Sequence, residues 1–273
     1  MTVTSHRRPH FRHPPIHEQA ISLSFGRIRE FGIVDPGLFW NEIMRDFPVA
    51  ETGPRFIAAI EMFEDISPLV EWEVVPQIQL PKALFKNDRG EIIQVQDDSF
   101  TYNWIRDHSE QQYPRYEVTS RRLWELYSKF EKFIIGRYGY MPPPKQCELT
   151  NVNLIPVAQF GRDFSDIANA FRVDPFAWDV QGLVADTYIR QRLHRIVDAD
   201  GKSLGRLHSV ISPIVDPEGA KFFRFELTAR SAPGIGGLHA VKEFFALAHD
   251  MINGAFLESV TPQMRQKWEE YDG

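Results

Sequence analysis

At 273 residues, 43% hydrophobic and 13% aromatic, the chain carries enough apolar material for one large or two small packed domains. A formal net charge of −6 excludes a global positive field and disfavours nucleic acid as a partner. The single cysteine excludes an internal disulfide framework, no apolar run reaches the roughly 18 residues of a spanning helix, and the basic N-terminus lacks the apolar stretch of a secretory signal. The expectation is a cytoplasmic protein without membrane contact.

Residues 1–13 are polar and basic without periodicity, and are expected to form a flexible tail. His6, His10, His13 and His17 invite a metal reading, but Pro14 and Pro15 prevent a helix that would align them, so no metal and no cofactor is expected. Ile21, Leu23 and Phe25 alternate with serines and predict a strand over 16–25. Asp35-Pro36 opens a helix carrying Phe39, Trp40, Ile43, Met44 and Phe47 at helical spacing, and Pro48 stops it. The apolar run 56–63 fits strand or helix, and 70–80 alternates as a strand.

Asn87-Asp88-Arg89-Gly90 is a hairpin turn leading into the most distinctive stretch, 92–116. Ile93 and Val95 alternate with glutamines, Asp97-Asp98-Ser99 is a turn, and a second strand puts Phe100, Tyr102 and Trp104 on one face. Pro114 forces Tyr113 to be extended, and a long helix follows over 117–138, capped by Thr119 or Ser120, with Leu123, Leu126, Tyr127, Phe130, Phe133 and Ile134 on its apolar stripe. Its basic residues interleave with Glu117, Glu125 and Glu131 and read as a solvated face.

The prolines 142–144 form the one compact proline run and read as a stiff linker. Beyond them the order repeats: a strand over 146–157, a short helix over 163–171 capped by Asp163 or Ser165, alternation over 178–193, a turn at Asp198-Ala199-Asp200-Gly201, strands over 204–215 and 221–230, a long helix over 237–257, and a final helix capped by Ser259-Val260-Thr261-Pro262 and running to Tyr271. The fold class expected is α+β, with a tail over 1–13 and two pseudo-repeated halves, 14–141 and 142–273. Each half reads strand, helix, antiparallel strands, long helix, with the helices packed on mostly antiparallel sheet.

Val95-Gln96, Asp98, Phe100 and Asn103-Trp104, in the order V-Q…D…F…N-W, are followed by Tyr113-Pro114-Arg115-Tyr116. With Pro14-Pro15-Ile16, Glu148-Leu149 and Asn153, Ala248-His249, Phe256, Thr261-Pro262 and Trp268, this set resembles a sporadically distributed family of uncharacterised bacterial proteins. Asn151 stands near a position where that family tends to have an aromatic residue. The resemblance covers the chain in element order and implies no catalytic residue.

The candidate residues for a ligand or partner are Asn103, Trp104, Tyr113, Glu148, Asn153 and His249. A buried amide such as Asn103 needs partners, Trp104 reads as core, and Glu148 needs an arginine or lysine if it faces inward. His249 sits beside the apolar stripe of its helix, and Cys147 reads as a buried small hydrophobe. The glycine run 234–237 lacks the lysine of a phosphate loop. Two readings stay open. One is a non-enzymatic protein-binding or regulatory component that acts through a protein partner or a second copy of itself, with a mobile, defence or toxin–antitoxin-type locus as the associated setting. The other is an enzyme or small-ligand-binding protein with a pocket near Asn103, Glu148 and His249; a pocket favours it, and a flat apolar patch favours the first.

Overall fold

The structure, a computed structural model, describes residues 10–57, 59–64, 80–108, 111–173, 181–183 and 186–271. Nine antiparallel strands form one sheet. They are β2 (Ile16–Phe25), β3 (Val49–Gly53), β4 (Lys82–Lys86), β5 (Glu91–Gln96), β6 (Ser99–Ile105), β7 (Pro144–Pro156), β8 (Arg190–Val197), β9 (Ser203–Val215) and β10 (Lys221–Ser231). The strand order is β3-β4-β5-β6-β2-β7-β10-β9-β8. A separate two-stranded ribbon pairs β1 (His10–Phe11) with β11 (Glu270–Tyr271). The α+β class holds: the helices α1 (Asp35–Ile43), α2 (Tyr116–Tyr138), α3 (Leu238–Ser259) and α4 (Pro262–Lys267) segregate to one face of an antiparallel sheet.

Alternation decides which side chains meet those helices. Ile21, Leu23 and Phe25 of β2, Phe100, Tyr102 and Trp104 of β6, and Phe223, Phe225 and Leu227 of β10 all point into one core. There Phe130 of α2 lies 5.2 Å from Phe100 and 5.3 Å from Phe39 of α1, ring centroid to centroid. Phe225 stacks on Phe256 of α3 at 5.9 Å. The aromatic alternation read from 100–104 is therefore packing, and Trp104 is 3% exposed.

Pro144 opens β7 within the sheet, and β7 pairs with β2 along nearly its whole length. The proline run thus leads directly into a strand beside β2, and one continuous sheet spans both halves of the chain. The turn over Asn87 to Gly90 requires its glycine: Gly90 has φ +73°, and a Cβ there would sit 2.1 Å from the Ile105 carbonyl oxygen.

Several boundaries depart from the sequence reading. Helix α2 starts at Tyr116, with Arg115 at its N-cap in a left-handed conformation (φ +67°), and neither Thr119 nor Ser120 caps it. Thr119 is instead buried one turn inside and bonds back to the Tyr116 carbonyl at 3.0 Å. Residues 10–13, read as part of a loose tail, are paired: β1 joins β11, and the Arg12 and His13 amides donate to the Glu269 and Trp268 carbonyls. The strand expected over 70–80 lies, but for Leu80, outside the described residues; of the alternation expected over 178–193, residues 181–183 and 186–189 form no strand, and only 190–193 belong to one, β8, which runs on to Val197. Asp163 caps its 3₁₀ turn and Thr261 caps α4, as their sequence positions indicate, but α4 ends at Lys267 rather than Tyr271, because Glu270–Tyr271 pairs as a strand with His10–Phe11.

The described residues of the apolar run 56–63 form neither strand nor helix. They cross the helix-free face of the sheet, held there by two glutamines. Gln96 accepts from the Phe56 amide at 2.7 Å and donates to its carbonyl at 2.9 Å. Gln146 donates to the Ala59 carbonyl at 2.8 Å and accepts from the Glu61 amide at 3.3 Å. Each side-chain amide does for the crossing segment what a neighbouring strand would do.

Candidate functional site

Two polar regions stand out, one on each side of the sheet. On the helix-free face, Asn103 donates to Glu18 at 2.6 Å and accepts from Gln94 at 3.1 Å. Burial pushes the Glu18 carboxyl up, with the Asn103 bond and Arg224 opposing. Glu148 accepts from Arg230 Nε at 2.6 Å. Arg230, Arg206 and His208 (2.5 Å through its Nε2) all converge on Glu61 of the crossing segment, which is 3% exposed. Asp97 and Asp98, read as a hairpin tip, do form the β5–β6 turn. Arg55 clamps both of them, and Arg27 approaches Asp97 at 3.1 Å. These ion pairs hold the crossing segment down, and their geometry closes on itself.

The helix side differs. Along β7 the core-facing positions run Cys147, Leu149, Asn151, Asn153, Ile155, so two asparagines interrupt an otherwise apolar row. They line a cavity of about 900 Å³ between the sheet, the start of α2, the middle of α3 and the β1–β11 ribbon. The sheet supplies Asn151, Asn153 and Leu227, α3 supplies His249, Ile252, Asn253 and Phe256, and the entry to α2 supplies Tyr113, Arg115 and Tyr116. Phe11 and Trp268 close the apolar side, and Arg106 stands at the edge where β6 ends.

The polar groups are ordered by a buried chain. Thr119 donates to Gln19 Oε1, and Gln19 Nε2 donates to the Tyr113 hydroxyl at 2.7 Å and to Asn151 Oδ1 at 2.9 Å. Asn151 thereby commits one end of its amide to the wall and keeps the other for the cavity. Asn153 Nδ2 donates to the Phe225 carbonyl at 3.1 Å, which fixes its orientation and leaves Oδ1 as an acceptor. The His249 ring lies flat on Tyr116, with centroids 4.1 Å apart and planes 16° apart, and Asn253 Nδ2 sits 3.0 Å from His249 Nε2. Burial pushes the Tyr113 phenol far up and the Tyr116 phenol up to about 12, so both are neutral hydrogen-bonding groups at ordinary pH.

Of the six residues singled out from sequence, Tyr113, Asn153 and His249 meet in this cavity. Trp104 lies behind its wall, 5.3 Å from Tyr113. Asn103 and Glu148 are on the opposite face and take no part. Sequence reasoning missed Gln19, Asn151, Tyr116 and Arg106. The available signal was polarity at inward positions: Gln19 precedes the inward run Ile21, Leu23, Phe25, and Asn151 follows Leu149 with the period of two that puts it inside.

Buried Cys147 has its thiol pushed up to about 12, chiefly by burial, and is no nucleophile at neutral pH. Among the described residues no group of three or more His, Cys, Asp or Glu side chains is arranged to hold a metal ion. Nor is any described helix long and apolar enough to cross a membrane. Compared with protein-family models, with curated proteins and with solved structures, the chain matches none.

Proposed function

We propose that the chain is a small-ligand-binding protein whose site is the cavity between β7 and α3. The observation that carries this is the pair of asparagines in the apolar layer. Asn153 is 5% exposed, yet its Oδ1 accepts no hydrogen bond among the described residues, and it faces a space of about 900 Å³. An amide oxygen held in a fixed orientation at the wall of such a space is a ready acceptor for a polar group of a bound molecule. The volume suits a metabolite-sized ligand, and the lining is about as polar as it is apolar, which fits a polar molecule with a carbon skeleton. The described groups supply no activated nucleophile, so binding is the reading, with sensing or regulation as its consequence.

The order of pairing supports internal duplication: β2 pairs with β6, the strand before α2, and β7 pairs with β10, the strand before α3. Two copies sharing one sheet through β2 and β7 would create a cavity where the inner strands meet both long helices. The resemblance to the sporadically distributed bacterial family and a cytoplasmic setting fit this reading. A protein partner is the second reading, favoured by the crossing segment, where Phe56, Ile57, Ile60 and Met62 turn apolar side chains to solvent.

The test is native mass spectrometry of the protein purified without denaturation, beside the Asn151→Leu/Asn153→Leu double variant. A small molecule carried by the first and lost from the folded second supports the site. If ligands bind equally well to both, the cavity is not where they bind.

A further inference from the structure

The polarity of the cavity wall says what kind of molecule it takes. Arg106 follows β6 directly and lines the cavity. One of its Nη groups donates to the Pro14 carbonyl at 3.2 Å, while its Nε is buried without a hydrogen-bond partner. Among the described residues no carboxylate pairs with it. Its guanidinium pKa is pulled down by burial, and the neighbouring His17 imidazole is pulled down by burial and then by Arg106 itself. A half-buried arginine without a counter-ion is costly, because its desolvation goes uncompensated.

The same wall holds the opening of α2, a helix of 23 residues with no side-chain cap, which presents the positive end of its backbone dipole to the cavity. Arg115 at that opening is held by the Tyr271 hydroxyl at 2.5 Å. Two carboxylates also line the space. Glu269 is engaged by Arg12 at 3.6 Å and His13 at 3.7 Å, and Glu117 belongs to the first turn of α2. Asn151 and Asn153 on β7, two strands along the same sheet from β6, are neutral hydrogen-bonding groups.

Resting on the ligand-binding reading, we infer that the cavity takes an organic oxyanion, a carboxylate or phosphate ester, with its anionic group paired to Arg106 and its neutral polar part on Asn151 and Asn153. A planar guanidinium matches either oxyanion through two parallel N–H···O bonds. The apolar surface of Leu227, Ile252 and Phe256 covers the carbon skeleton between the two ends.

The experiment uses matched probes: nucleoside monophosphates beside their nucleosides, and aryl carboxylates beside their amides. Binding is read by calorimetry and by the shift of the thermal midpoint. In the wild type the anionic member of at least one pair binds about tenfold or more tighter than its neutral twin. Arg106→Gln brings the pair to within about twofold, and Arg106→Lys keeps part of the preference, each variant first shown to unfold cooperatively. Phosphate-only or carboxylate-only preference identifies the source of the anion, and either supports the inference. Neutral and anionic twins binding alike, or an anionic preference that survives Arg106→Gln, overturns it while leaving the cavity as a binding site. If no probe of either charge binds, and native mass spectrometry finds nothing carried by the wild type, the binding reading falls as well.

Discussion

The Tyr116 and His249 rings lie face to face, 4.1 Å apart, and join the first turn of α2 to the middle of α3. No other described ring pair joins two helices so flatly, and the contact forms part of the cavity wall. Offset stacking of this kind is worth about 0.5–1.5 kcal/mol beyond simple burial. His249→Ala should therefore lower stability by about 1–2 kcal/mol in urea melts, the loss of the Asn253 contact included. His249→Phe should keep most of that stability while removing the polar edge that faces Asn253. A ligand that tolerates His249→Phe as well as the wild type would mean that the ring only packs.

Alkaline pH offers a second test. Burial raises the phenols of Tyr102, Tyr113, Tyr116 and Tyr127 above their ordinary value of 10.0, with the Glu91 carboxylate adding to the effect on Tyr102. The folded protein then holds its phenolic protons where the unfolded chain would release them. Stability from these groups is fully present below pH 10 and falls as pH rises through the folded values. Absorbance near 295 nm should show the exposed tyrosines ionising gradually and the buried four appearing together with unfolding. Smooth, complete ionisation in a chain that keeps its near-ultraviolet circular dichroism would contradict the packing.

Much of this fold could be read from the sequence because its signals are local. Strand alternation at 93–104, the turn at Gly90, and the stripes of α2 and α3 each depend on residues within one or two turns of each other. The cavity depends on long separations: Gln19 bonds Asn151 across 132 residues, and Tyr116 meets His249 across a similar span. The family resemblance singled out Asn153 and helical spacing put His249 beside an apolar stripe, but only the shared sheet shows that both border one space. Glu148 and Asn103 looked equivalent to them by residue type. Each stands one position out of phase with an inward neighbour, which puts it on the other side. The crossing segment misled for a different reason, since its apolar side chains point outward and its hydrogen bonds come from Gln96 and Gln146 side chains, which no backbone propensity encodes.

The crossing segment should detach when its anchor is removed. Burial alone would raise the Glu61 carboxyl above 4.5, but His208 and Arg230 override this and hold it below. Its contribution is thus complete above pH 4.5 and disappears as pH falls through the lowered value. Glu61→Gln leaves Arg206 without its carboxylate and should cost about 2 kcal/mol, less than a fully sealed ion pair because water reaches both arginines once the segment lifts. Limited proteolysis should then cut within residues 55–63 of the variant at neutral pH, and of the wild type only in acid. Equal protection of both proteins at neutral pH would show that the glutamines alone hold the segment.

Trp104 tests the core. It is buried on the inward face of β6 against Tyr113, and Trp104→Ala opens a large void beneath the cavity wall. The expected cost is about 3–5 kcal/mol in a denaturant titration, with an unchanged slope. A change within 1 kcal/mol, which is about the effect of an exposed substitution, would place the indole outside the packed layer.

The β1–β11 ribbon makes the sharpest contrast with a loose N-terminal tail. Phe11 packs edge-on against Phe256 at 5.9 Å and Trp268 at 6.0 Å, and those two rings lie 5.6 Å from each other. The strand is two residues long, too short for any periodicity, and its partner is at the far end of the chain. Phe11 is half-buried, so truncation removes only part of the transfer free energy of a core phenylalanine, and Phe11→Ala should cost about 1–2 kcal/mol. The same change opens the cavity on its apolar side, so ligand affinity should fall even where the protein remains folded. His10→Ala, which removes a tilted contact with Tyr271 and one ring at the cavity rim, should change stability by less than about 0.5 kcal/mol. Paired urea melts and ligand titrations of the two variants separate these effects. If Phe11→Ala behaved like His10→Ala in both, the ribbon would contribute neither to the fold nor to the site.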